Sequence, residues 1–563
     1  MESILKFFRA ILFAVFFINT TYAQGALGID IEHNINRYSH PGSVKTINAL
    51  YKANGYKPLW VGANNSRRFA QLIDALGDPL FNYKFKQFDQ DKIIDLSLAI
   101  DDGSASASDR AKLDILATQS FLELIHFIRI GDVDWAMVKR KMANLKASQD
   151  VRAVWEIHPK SMPSGESVLK SIQHQSIKSY LKSQLPLIDQ YLALSDMLDR
   201  YRKMPKFKKI PYGKTLKRGS YGNRIRMIKK LLKATGDFPK NESAGAGYTS
   251  SLSRAIESFK KRFNLTQGDY IDNKTVKYLN TAKSKYIQKI ITNLDMLKLQ
   301  PHRLEANHVE INVPEFKLRY YQNGSEVFSS DIIVGRIDRP TPIFNDKIEY
   351  MVLNPTWTIT ANLVRRDLIP MLKKHPSYLK EHNIHLFQGG KEVPLNMSRL
   401  LAFEKNKKAA LPYRFVQYPG VSNALGKVKF IFPNKYSVYL HDTDNHSLFK
   451  YRYRVFSSGC MRVKKPFGFM YELLQNGGLS YSKSKINSIF ASNKPTTIKL
   501  KHPIPVHIMY QTVRRENGKD YFFYDVYMYE QIIYESTAGH KKATFRVPAV
   551  RLTKINRIGS RIR

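Results

Sequence analysis

A chain of 563 residues, 43% hydrophobic and 12% aromatic, has apolar material for roughly two to four packed domains, which excludes a disordered chain. Its 90 Lys and Arg against 47 Asp and Glu give a formal net charge of +43, which suits an anionic partner. The basic residues are spread along the chain rather than gathered in one patch, so the charge alone names no partner.

At the N-terminus, Lys6 and Arg9 precede a short apolar run from Ala10 to Ile18, and Thr21-Tyr22-Ala23 follows with small residues at a cleavage position. The run is shorter than the roughly 20 residues that span a bilayer. Residues 1–23 are therefore expected to be a signal peptide cleaved after Ala23, leaving a periplasmic protein. Export disfavours nucleic acid as a partner and favours the anionic cell envelope or outer-membrane surface.

Residues 24–210 repeat apolar positions at three- and four-residue spacing, as in Ala111–Ile130 and Val168–Leu198, and predict a helical scaffold. Trp60, Trp135 and Trp155 fit packing roles within it. The Lys- and Pro-rich stretch Tyr201–Lys217 reads as a linker. A compact helical unit follows over 211–283. Ile225, Ile228, Leu231 and Leu232 share one helix face, with Gly236 at the stop. Thr249 and Ser250 cap a second helix, and Asp272 starts a third. The unit resembles the three-helix peptidoglycan-binding domain in Leu216–Gly219, Leu231-Leu232, Gly247-Tyr248, Ala255–Phe263 and Ile271–Leu279. A neutral spacer is the competing reading.

From about Glu310 the periodicity becomes two. Strands are expected at His308–Val313, Lys317–Tyr321, Asp331–Val334, Glu349–Leu353, Lys429–Phe432, Ser437–Leu440 and Thr497–Leu500, with a hairpin at Gln322-Asn323-Gly324. A helical stretch over Thr360–Val393 marks an inserted cap of about 358–425 within a mainly β catalytic domain of 300–505. Residues 506–563 read as added strands, Val506–Tyr510 and Tyr521–Tyr529, and a basic tail. The fold class is multidomain α+β.

The chain has one cysteine, Cys460, which by composition alone reads as a small buried hydrophobe. In an exported chain it has no internal partner and stays a thiol. Its neighbours, Ser457-Ser458-Gly459-Cys460-Met461-Arg462, and His441 nineteen positions upstream give it chemistry. A thiol of ordinary pKa, about 8.5, needs a base to become a nucleophile, and imidazole supplies one. Cys460 is thus the candidate nucleophile and His441 the general base and acid. The backbone N–H groups of Gly459 and Cys460 are the candidate oxyanion donors, each worth roughly 3 kcal/mol where such donors have been removed. Neighbouring strand residues point to opposite faces, so the backbone carbonyl of Asp442, rather than its carboxylate, is expected to orient His441. Arg462, Ser458 and Tyr439 are the candidate substrate contacts. His446 is a rival base in a polar loop. No P-loop, paired-cysteine zinc site or HExxH occurs, and no metal site is read from the residues.

These residues resemble the YkuD-domain L,D-transpeptidases, with Ser458 where that family usually has a second histidine. The Ser-Ser-Gly-Cys-x-Arg form is similar to its large YcbB-like branch, as are Val334–Phe344, Asn354–Thr360, Asn423–Asn434 and Tyr439–Thr443. The resemblance implies attack on the bond before the terminal D-alanine of a tetrapeptide stem, then transfer to an amine of a second stem. It implies peptidoglycan stem peptides as substrates and acylation by carbapenems, without a cofactor. A thiol-dependent endopeptidase or carboxypeptidase, and a non-catalytic envelope-binding protein, are the alternatives. Oligomeric state is not readable.

Overall fold

The computed structural model describes residues 22–537 except 150, 175 and 407. The segment read as a signal peptide, apart from Tyr22 and Ala23, and the basic tail from 538 onward lie outside the described residues.

The N-terminal half is helical. The 23-residue helix Ala107–Arg129 runs through its centre, apolar on nearly every side, and begins at a capping box between Ser106 and Asp109. Asp114 is fully buried within it. Its carboxylate accepts from the backbone N–H groups of Leu59, Trp60 and Val61 at 2.8–2.9 Å and from the Tyr51 hydroxyl at 2.6 Å. Asp114→Ala leaves three buried amides without their acceptor. It is expected to destabilise the helical region by about 3 kcal/mol, read as a lower urea midpoint.

The periodic run Val168–Leu198 forms three helices, Gly165–His174, Ile177–Gln184 and Ile188–Lys203, broken after Gln184 at Leu185-Pro186-Leu187. The following unit has helices at Asn223–Ala234, Ser250–Arg262 and Asn273–Leu279. The side chain of Thr249 caps the second and that of Asp272 the third. This unit shares one continuous core with the scaffold, through residues such as Ile228, Phe259, Tyr201 and Leu198.

Fifteen strands follow among the described residues. They are β1 (His308–Asn312), β2 (Lys317–Gln322), β3 (Ser325–Gly335), β4 (Asn345–Leu353), β5 (Trp357–Ile359), β6 (Ile384–Gln388), β7 (Lys391–Glu392) and β8 (Arg414–Gln417). Then come β9 (Val428–Ile431), β10 (Leu440–His441), β11 (Val455–Ser457), β12 (Met461–Val463), β13 (Thr496–Met509), β14 (Val513–Glu516) and β15 (Lys519–Phe522). Nine form one sheet in the order β11-β3-β12-β10-β9-β4-β13-β1-β2, and a β2–β3 pairing turns it back on itself. Asn323 and Gly324, both at positive φ, make the two-residue β2–β3 turn expected from the Asn-Gly pair.

Several boundaries differ from the sequence reading. β13 runs unbroken through residue 505 and pairs with both β1 and β4, so Val506–Met509 belong to the catalytic sheet. Of Tyr521–Tyr529 only Tyr521 and Phe522 lie in a strand, and Tyr529–Tyr534 is a helix whose Tyr529, Ile532 and Ile533 enter the catalytic core. Residues 133–157, assigned to the scaffold, also join that core through Trp135, Val138, Met142 and Ile157. Main-chain bonds between Val154, Glu156 and Ile343 fasten them there. The insertion is α/β rather than helical: β5-β8-β6-β7 form a second sheet over a separate small core that includes Ile369, Leu400 and Phe415. The strand at 384–388 is short, and its alternation is hard to tell from a helix turn.

Candidate active site

Three adjacent strands of the large sheet carry the site. His441 on β10 is in register with Arg462 on β12 and with Lys429 on β9. Residues in register share a sheet face. Leu440, Met461 and Phe430 point into the core, so His441, Arg462 and Lys429 stand together on the opposite face. Cys460 precedes β12 and, two residues before Arg462, joins that face. Tyr439 flanks the row, its ring 5.7 Å from that of His441 and 5.8 Å from Lys429 Nζ.

His441 is buried, and its Nδ1 donates to the Asp442 carbonyl at 2.5 Å. A carbonyl only accepts, so Nδ1 holds the ring proton and Nε2 is left as the basic atom. The Asp442 carboxylate faces away, accepting from Lys427 N–H at 2.9 Å and pairing with His446 Nε2 at 3.0 Å. His446 is thereby engaged outside the row. Gly426 at φ +60° passes under this carboxylate, and a Cβ there would collide with it, which accounts for the glycine in Asn423–Lys427.

Cys460, the candidate nucleophile, sits on a braced turn. Gly459 has φ +123°, and its carbonyl accepts from Thr341 Oγ1 at 2.9 Å. The backbone N–H of Thr341 donates to Tyr527 Oη, whose hydroxyl donates to the Gly335 carbonyl at 2.6 Å. The C-terminal segment thus supports the turn. Ser457 Oγ accepts from the Gly459 N–H at 3.2 Å and donates to the Cys460 carbonyl at 2.5 Å. Of the two candidate oxyanion donors, the Gly459 amide is thus directed at Ser457 Oγ within the turn, and the Cys460 amide lies beside its own sulfur. Gly459→Ala forces a side chain into positive φ at about 1–2 kcal/mol. Thermal unfolding is expected to show that cost, with slower acylation of Cys460.

Both candidate groups rest uncharged. Burial pushes the Cys460 thiol up to about 11, against smaller opposing effects of the Tyr439 N–H, Arg462, its own N–H and Lys429. Burial, then Arg462, push His441 down to about 3, with the Asp442 carbonyl opposing. The thiol lies 3.8 Å from the Ser437 carbonyl, at left-handed Ser437 in a loop pinned by the Asn434 side chain. No thiolate–imidazolium pair is preformed in this arrangement.

Arg462 Nη1 donates to Thr443 Oγ1 at 3.3 Å, and Arg462 acts electrostatically on both Cys460 and His441. Ser458 is exposed, and its Oγ accepts from Arg339 Nη1 at 2.9 Å. Arg339 also forms an ion pair with Asp367 of the insertion, so the cap is linked to the turn beside Cys460. Sequence reasoning missed Lys429 and Arg339. Lys429 was discernible only as one position of an alternating strand, and Arg339 only as part of the Val334–Phe344 motif.

The L,D-transpeptidase catalytic domain family, YkuD, matches residues 306–479, and the Scaffold domain family matches residues 45–198. A curated protein of Haemophilus influenzae named "Putative L,D-transpeptidase" is 35% identical over 257 residues, which is 46% of this chain and 51% of that protein. The chain therefore spans about half the length of that curated relative. A solved L,D-transpeptidase structure from Xylanimonas cellulosilytica is 12% identical, covering 54% of this chain and 100% of its own at a TM-score of 0.18. One from Stackebrandtia nassauensis is 12% identical, covering 55% and 99% at a TM-score of 0.21. The chain joins a catalytic domain of the YkuD L,D-transpeptidase family to a Scaffold domain, as YcbB-like proteins do.

Proposed function

We propose that this protein is a periplasmic L,D-transpeptidase that forms third-to-third peptidoglycan cross-links through a thioester on Cys460. The observation that carries the reading is the Cys460 thiol on the same sheet face as His441, whose Nδ1 is held by a carbonyl so that Nε2 is basic. In the first step His441 Nε2 takes the thiol proton as Sγ attacks the carbonyl between the third stem residue and terminal D-alanine. The C–N bond breaks, the proton passes to the leaving nitrogen, and D-alanine departs. In the second step the side-chain amine of another stem's third residue attacks the thioester. A new amide forms, and the amine's proton returns through His441 to the sulfur. The three-helix unit over 211–283 would hold the glycan near this site, and the cleaved signal at Ala23 would deliver the chain to it.

The test is incubation of the purified protein with tetrapeptide muropeptides and mass analysis of the products. Cross-linked dimers with released D-alanine are expected. Cleaved monomers without dimers would instead assign a hydrolase.

A further inference from the structure

We propose that Lys429 is a substrate-binding residue that, with Arg462 on the far side of His441, receives the C-terminal carboxylate of the donor peptide. This rests on the acyl-transfer reading above and deepens it, since it names the group on the substrate that the site selects.

The register supplies the geometry. β9, β10 and β12 lie side by side, and Lys429, His441 and Arg462 form one row across them, a cation on each side of the imidazole. Strand spacing sets the two cations' backbones roughly 10 Å apart. A peptide end laid over the imidazole would meet a cation on either side, with its last amide toward Cys460. Lys429 is half-buried and acts electrostatically on Cys460, so its charge reaches the reacting atom.

The state of its ammonium points to an anion. An ammonium has three N–H donors. One goes to the Thr356 carbonyl at 3.3 Å, at the start of the cap. Among the described residues, no carboxylate lies within ion-pair distance of Nζ. Sinking a cation partway into protein without a counter-charge is unfavourable. Other sunken lysines of this chain are satisfied either by carboxylates, as Lys84 is by Asp132 and Asp295, or by two carbonyls, as Lys283 is by those of Arg202 and Met204, whereas Lys429 has one carbonyl at 3.3 Å. A solvated surface lysine would lie away from the nucleophile, whereas Lys429 bridges the catalytic row and the cap. A bound carboxylate would also offset the two charges that oppose protonation of His441, so substrate arrival would favour proton transfer from the thiol.

The test compares alkylation of Cys460 by iodoacetate and by iodoacetamide in wild type, Lys429→Met, Lys429→Gln and Lys429→Arg, followed by intact-protein mass. Both reagents need the same thiolate, so their rate ratio cancels any change in thiol ionisation and reads attraction of an anion alone. The ratio of iodoacetate to iodoacetamide rates is expected to fall at least about threefold in the Met and Gln variants and to hold in Arg. Donor peptides ending in carboxylate and in carboxamide provide the second arm. Wild type should favour the carboxylate by about tenfold, mainly through KM, and Lys429→Met should erase most of that preference. An unchanged reagent ratio in both neutral variants, an equal fall in Lys429→Arg, or equal use of the two donors by wild type would overturn the proposal. Failure of wild type to use either donor would defeat the acyl-transfer reading instead, and the alkylation ratio would still decide whether Lys429 draws anions to the thiol.

Discussion

Cys460→Ala is expected to abolish D-alanine release from tetrapeptide substrate, a loss of about a millionfold or to below detection, while leaving the fold intact. The thiol is the chain's only one, so no neighbouring sulfur can substitute for it. Its removal takes away one sulfur from a partly exposed position and leaves the bracing turn complete. The bonds of that turn run from Ser457 Oγ, Thr341 Oγ1 and Tyr527 Oη, none of which needs the Cys460 side chain. Thermal unfolding at wild-type temperature alongside absent D-alanine release would separate lost chemistry from lost structure.

His441→Gln is expected to slow acylation by about 10²- to 10⁴-fold, the range of a positioned general base. Glutamine fills similar space but has no basic ring nitrogen. The pH dependence follows from the two ionisations. With His441 held down to about 3, the imidazole stays neutral and basic from about pH 4 upward. No acid limb near the ordinary histidine value of about 6.5 is expected in free-enzyme kcat/KM. With Cys460 pushed up to about 11, its alkylation by iodoacetamide should climb about tenfold per pH unit between pH 7 and 9. A plateau starting near pH 6 would instead reveal a standing ion pair.

Much of the fold was legible because its signals are local. The Asn323-Gly324 turn, the alternation in β2 and β9, and the caps at Thr249 and Asp272 are set by residues a few positions apart. The argument from strand faces also located the Asp442 carbonyl beside His441 Nδ1. What escaped depends on distant pairing. Lys429 joins the row only because β9 pairs with β10 in one particular register, and one residue of slip would turn it into the core. Tyr527 supports Gly459 through Thr341, which lies 186 residues upstream of Tyr527, and no spacing rule connects them. The hydrogen bond from the Gly459 amide to Ser457 Oγ was not foreseen, because it depends on the turn's shape. Residues 133–157 look like any amphipathic scaffold segment, and only the partner surface shows that their apolar face belongs to the catalytic core.

The central claim is that Cys460 carries the acyl group. Its most direct test is intact-protein and peptide mass spectrometry after incubation with a carbapenem. The account predicts one stable adduct on wild type, mapped to the peptide containing Cys460, and none on Cys460→Ala. An adduct that persists in Cys460→Ala, or no adduct on folded wild type, would contradict it.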